Sequence, residues 1–243
     1  KDVPPVIIAS SGLDVLCHAL ESYTAIDFNQ RPLPERPIYR PAYQGNNPIS
    51  DIWSIKAIDL VSKNIVRAYR NPNDLEARSN MILASSMAGI GFGNAGVHLC
   101  HGMSYPVSGM VKNFIPHGLT SDHPIIPHGL SVILNAPAVF KFTGEACPER
   151  HLKVAKIMGA KINNIKDPKN EAGLILSNEI IKLMKDLEVP NGLSAIGFNK
   201  NDIPNLIKGT LPQHRVTKLS PRSANAEDLN KLFNDSMTLW WKT

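Results

Sequence analysis

The chain has 243 residues and only three cysteines, Cys17, Cys100 and Cys147. The count is odd and no Cys-x-x-Cys spacing occurs, so neither a disulfide framework nor a thiolate zinc knuckle is expected. Free thiols in a reducing compartment are. Basic residues are scattered. The net charge is +5 and the pI about 9.1, yet no Lys/Arg run of the kind that grips nucleic acid is present, so the charge implies solubility and mild steering of anions. No apolar run reaches the roughly 20 residues needed to cross a bilayer. The opening segment, Lys1 to Ser11, is too short in its apolar stretch and lacks the basic lead of a secretion signal. There is no initiator Met, and the chain reads as one that starts mid-protein. Alternating apolar/polar runs and β-branched clusters are scarce, which argues against a sheet.

What remains is helical periodicity in an ordinary globular balance, 43% hydrophobic and 19% charged, enough for a buried core. The pattern predicts a mainly α fold, a bundle of seven or eight helices. The first is expected over 12–25, capped by Ser10 or Ser11. Residues 29–49 hold five prolines and Gly45 and read as a long loop. An amphipathic helix follows, capped by Ser50-Asp51, with Ile52, Ile55, Ile58, Leu60, Val61, Ile65 and Val66 on its stripe. Asn71-Pro-Asn-Asp74 is a turn and a new cap. A long helix rich in Ala, Ser and Gly then runs over 75–99 and is placed centrally, because small residues allow close approach. Residues 103–127 read as irregular. Further helices are expected over 130–140, 148–159, 171–187, 202–208 and 226–240.

Three short segments carry chemistry. Asp14-Val-Leu-Cys-His18 sets a carboxylate and an imidazole at i and i+4, neighbours on one helix face. Alone, such a pair is more often an ion pair than a cation site. Gly96-Val-His98-Leu-Cys-His101-Gly-Met adds two histidines three apart, either of which can ligate. Two Pro-His-Gly triplets follow, at His117 and His128. One carboxylate with three imidazoles is a donor set that suits ferrous iron or zinc. Cys17 and Cys100 each adjoin a proposed ligand, so on a helix they point about 100° away and read as packed thiols. Gly89-Ile-Gly91-Phe-Gly93 lacks a preceding strand and sits in a helical pattern. It fails the context test for a phosphate loop and reads as helix packing. His151 and His214 are expected at the surface or a hinge. Arg40, Arg215 and Lys218 are candidates for a substrate carboxylate, with solvated charge as the default.

These segments resemble the metal-binding part of the iron-containing (group III) alcohol dehydrogenases: Asp-x-x-x-His on one helix, a His-Gly-Met segment, then Pro-His-Gly. The stretches Arg40–Asp51, Ala88–Gly96, Pro127–Val132, Pro148–Leu152 and Lys208–Leu219 liken it further to the hydroxyacid–oxoacid transhydrogenase branch. The resemblance implies the all-helical C-terminal domain of the dehydroquinate synthase-like fold, here over 1–243. The dinucleotide-binding α/β domain is expected to lie outside this chain.

It also implies metal ligands at Asp14, His18, His101 and His128. His101 is selected because it precedes Gly-Met. His128 is selected because an apolar helix follows it, although spacing in shorter family members favours His117. Phe92 and Tyr105 are implied as pocket residues. Tyr105 stands where many simpler family members carry another histidine, so a proton relay through that position does not transfer.

The implied cofactors are a divalent metal, Fe2+ before Zn2+, and NAD(H). The implied activity is hydride transfer from a hydroxy acid, 4-hydroxybutyrate, to an oxo acid, 2-oxoglutarate. A plain alcohol or polyol dehydrogenase and an inactive metal-binding fragment are the alternatives. Small acids are the expected partners, with no nucleic acid and no membrane span; a homo-oligomer is compatible, and the implied location is mitochondrial.

Overall fold

A computed structural model describes residues 3–241, and among them there is no strand, only one isolated bridge between Asp27 and Asn46. The fold is built around α1, Pro5–Thr24. Pro5 supplies the first helical position, where a missing N–H costs nothing. Ser10 and Ser11 therefore lie inside the helix rather than capping it. Ser10 serves the tertiary fold instead, its hydroxyl accepting from the Leu130 N–H at 3.2 Å. Residues 25–47 form the expected irregular loop, with two 3-10 turns. α2, Pro48–Arg70, starts one turn earlier than expected because Asn47, not Ser50, is the cap, accepting from the Ser50 N–H at 3.0 Å.

α3, Leu75–Ala95, is capped by Asp74 as the sequence indicates. It is not central. Its buried positions are Ala77, Ala84, Ala88, Gly91 and Ala95, a narrow stripe spaced by seven, four, three and four, which lies against α2. Ile82 and Ile90 on its outer side are 71% and 52% exposed. Small residues gave close approach to α2, with α1 as a second neighbour, not burial on all sides. The three glycines divide accordingly: a Cβ on Gly91 would sit 2.6 Å from Ser54 Oγ, whereas Gly89 and Gly93 face open space. Gly96, at φ 90°, ends the helix.

A separate helix, α4, Leu99–Gly109, occupies part of the stretch expected to be irregular. Pro106 lies within it, so local propensity is overridden by packing: α4 is held against α5 and α9. α5 (His128–Ile133) and α6 (Ala136–Thr143) divide the expected 130–140 helix. α7 (Pro148–Met158) stops at left-handed Gly159, and α8 spans Pro168–Asp186. α9 (Ile203–Thr210), the four-residue α10 (His214–Thr217) and α11 (Ala226–Met237) complete the chain. α1 contacts α2, α3, α5, α7 and α4, and its Leu13, Leu16, Cys17 and Leu20 are fully buried. One continuous apolar core joins it to Ile65, Met103, Ile133, Phe140 and Phe233. No helix among the described residues is long and apolar enough to cross a membrane.

Candidate metal centre

Two elements, α4 and α5, converge on one face of α1. Gly129 makes this possible: a Cβ there would fall 1.9 Å from the Ser10 carbonyl oxygen and 2.8 Å from Asp14 Cβ. Only glycine lets the start of α5 lie on α1, and that contact delivers His128. From α4 comes His101. Asp14, His101 and His128 each offer a ligand atom within 4.8 Å of the others. Asp14 Oδ1 lies 3.4 Å from His101 Nε2 and 3.8 Å from His128 Nε2. His18 stands beside this trio, with Nδ1 3.8 Å from Asp14 Oδ2. Its ring is stacked on Phe92 at 4.1 Å and tilted against His101 at 4.5 Å.

The decisive detail is satisfaction. Asp14 Oδ1 and His101 Nε2 are buried and, apart from facing each other at 3.4 Å, have no hydrogen-bond partner among the described residues. Buried polar atoms are rarely left so. A donor pair sharing a tetrahedral cation at ~2.1 Å would stand ~3.4 Å apart, and the observed separation matches. The carboxylate and imidazole donors thus fit a divalent cation. No sulfur atom joins them: Cys17 and Cys100 are buried in the core behind.

The structure places the alternative histidines, His98 and His117, away from the trio. His98 is fully buried, caps α4 through Nδ1, which accepts the Leu99 N–H at 2.8 Å, and meets Thr24 Oγ1 through Nε2 at 3.0 Å. The Thr24 hydroxyl already donates to Leu20 O, so His98 Nε2 carries the proton and no ring lone pair is left for a metal. His117 sits exposed in a turn, away from the trio.

The electrostatics follow from burial among like and unlike charges. Burial opposes ionisation of Asp14, but His101, His18 and His128 overcome it and hold its carboxyl below the usual range. Burial, then the neighbouring His101, pulls His18 down to about 4, and burial also lowers His128. His101 goes the other way. Burial alone would lower it, but Glu21 and Asp14 push it up to about 10.

Glu21 was not singled out by its sequence, although it lies three residues after His18 on the same helix. It is wholly buried. Its Oε1 accepts the backbone N–H of His98 at 3.1 Å and of Cys100 at 2.7 Å, and its Oε2 meets His101 Nδ1.

A cavity of about 620 Å³ opens beside the trio, lined mainly by apolar groups from α1 and α3 together with Asp14, His18, Phe92 and His128. Phe92 is at its wall; Tyr105 is not. Arg40, Arg215 and Lys218 are exposed and do not line it, and Arg215 lies over the Tyr43 ring. Among the described residues the arginine in the wall is Arg78, whose Nη1 is buried without a partner among them. His151, expected at the surface, is fully buried.

Residues 42–237 match the family model described as Fe-containing alcohol dehydrogenase family, C-terminal. The chain belongs to the iron-containing alcohol dehydrogenase family. It is 59% identical over 239 residues to a bovine protein named hydroxyacid-oxoacid transhydrogenase, mitochondrial, covering 98% of this chain and 51% of that one. A Dictyostelium discoideum protein named probable hydroxyacid-oxoacid transhydrogenase, mitochondrial, is 59% identical over 240 residues, covering 98% of this chain and 44% of that one. The chain therefore spans about half the length of these relatives. Among solved structures, an alcohol dehydrogenase from Oenococcus oeni superposes with a TM-score of 0.79 at 26% identity, covering 97% of this chain and 52% of the other. A 1,3-propanediol oxidoreductase matches with the same TM-score at 25% identity, with 97% and 53% covered. The helical fold thus corresponds to the C-terminal domain of this iron-containing family.

Proposed function

We propose that this chain is the metal-binding half of a hydroxyacid–oxoacid transhydrogenase, with Asp14, His18, His101 and His128 as the metal ligands. The observation that carries this reading is the convergence of two unpartnered buried atoms, Asp14 Oδ1 and His101 Nε2. The names of relatives at 59% identity support the reaction class. The donor set suits Fe2+, and Zn2+ would also bind.

A divalent metal here supplies Lewis-acid polarisation of a substrate oxygen. NAD(H) supplies the hydride store; the expected α/β domain would hold its pyrophosphate, since Gly89, Gly91 and Gly93 lie inside α3 and form no phosphate loop. The chain's own residues do the rest. Asp14 would meet the metal as a carboxylate, held ionised by the histidines around it, and the imidazoles would meet it as neutral donors. Phe92 fixes the His18 ring plane by stacking. The apolar walls from α1 and α3 keep water from the transferring hydride.

The substrates proposed are 4-hydroxybutyrate, oxidised to succinate semialdehyde, and 2-oxoglutarate, reduced to 2-hydroxyglutarate. One hydride and one proton pass between them in net. We also assign the protein to the mitochondrion on the relatives' names. The test is turnover of the full-length protein on 4-hydroxybutyrate with and without 2-oxoglutarate, and no added NAD+. Dependence on the oxo acid is expected. Turnover that needs added NAD+ and ignores the oxo acid would replace this reading with a plain alcohol dehydrogenase.

A further inference from the structure

Glu21 is a carboxylate in the dry core, where an ion is costly unless several donors meet it. Three do, and they divide between its two oxygens. Oε1 takes the N–H groups of His98 and Cys100 at the start of α4, where the helix dipole favours an anion. Oε2 takes the His101 ring nitrogen Nδ1. We infer that Glu21 is the positioning residue that sets His101 for metal binding, keeping a proton on Nδ1 so that Nε2, which faces Asp14, is the nitrogen left to meet a metal. A metal-ligating histidine needs such a partner on its other nitrogen to fix tautomer and ring plane. The same carboxylate pins the first turn of α4 to α1, so it sets both the backbone that presents His101 and the ring itself. The inference rests on the proposed metal site.

The divided bonding supplies a sharp test. A glutamine at position 21 fills the same space but accepts on one side only. Turned to keep its oxygen on the two backbone N–H groups, it presents an NH2 to Nδ1 and forces the proton onto Nε2, into the metal site. Turned the other way, its NH2 opposes two backbone donors.

Zinc affinity of the full-length protein would be measured by chelator competition, with far-UV circular dichroism to report folding. For Glu21→Gln a loss of about 10–100-fold with unchanged helicity is expected. Affinity within twofold of wild type would overturn Glu21's role while leaving the metal site in place. Wild-type affinity in Asp14→Ala, or no stoichiometric zinc in the wild type, would remove the metal site and Glu21's role together. Should Glu21→Gln fail to fold, long-range 15N–1H correlation on zinc-loaded wild type decides. A His101 ring protonated at Nδ1 and bound through Nε2 is expected; metal on Nδ1 would overturn the inference.

Discussion

Two buried histidines, His101 and His151, differ in what surrounds them and in what they leave free: His101 lies between the carboxylates of Glu21 and Asp14, whereas His151 meets no carboxylate among the described residues. His151 is fully buried, with Nε2 3.0 Å from Thr143 Oγ1 and Nδ1 3.0 Å from the Cys147 carbonyl oxygen. Both ring nitrogens have partners, and Cys147 beside it is pushed up to about 12 by burial, an inert thiol. His101 has one nitrogen engaged by Glu21 and the other buried, unpartnered and facing an equally unpartnered carboxylate oxygen. Burial of an imidazole is thus no sign of a metal site. The proposed site rests instead on two buried atoms of different residues aimed at one point.

The largest effect that would break or sharpen this contrast is on metal content. Asp14→Ala and His101→Ala should each weaken zinc binding by more than ~100-fold, since loss of a direct ligand exceeds the effect of losing its partner. His151→Ala should leave zinc stoichiometry intact while lowering the melting temperature. Equal loss of metal in all three, read by elemental analysis after gel filtration, would erase the distinction.

Acid comes next. Burial holds both His98 and His151 down at about 4, so the unfolded chain, with histidine at ~6.5, takes up their protons first. Their contribution to stability is full above pH ~6.5 and is lost as pH falls toward 4, at most roughly 3 kcal/mol each. Urea midpoints between pH 7 and 4.5 should fall accordingly. His151→Gln should flatten the slope; an unchanged slope would mean that His151 does not titrate on unfolding as described.

Two glycine variants give smaller effects of opposite sign. Gly129→Ala must part α5 from α1 and should cost ~1–3 kcal/mol with weaker zinc binding. Gly89→Ala meets nothing within 4 Å and should gain ~0.5–1 kcal/mol, as thermal melts would read.

Much of this was legible in the chain. The helical periods gave the fold class, and the i, i+4 spacing placed Asp14 and His18 on one face of α1. Other features depend on distant partners that no local pattern carries. Pro106 suggested irregular backbone, yet α4 persists through it. The Ala and Gly of α3 promised burial, but α3 packs on α2 and, less extensively, α1, and leaves Ile82 and Ile90 exposed. Glu21 carried no signal of its own in the sequence; only the return of α4, some eighty positions later, puts three donors around it. His98 and His101 share a motif, and Thr24 separates their roles by a single hydrogen bond.

X-ray absorption at the metal edge of iron- or zinc-loaded protein tests the central claim most directly. A shell of nitrogen and oxygen alone at ~2.0–2.2 Å, with imidazole scattering from His18, His101 and His128, is the expected result. A sulfur shell at ~2.3 Å, from Cys17 or Cys100, would contradict it.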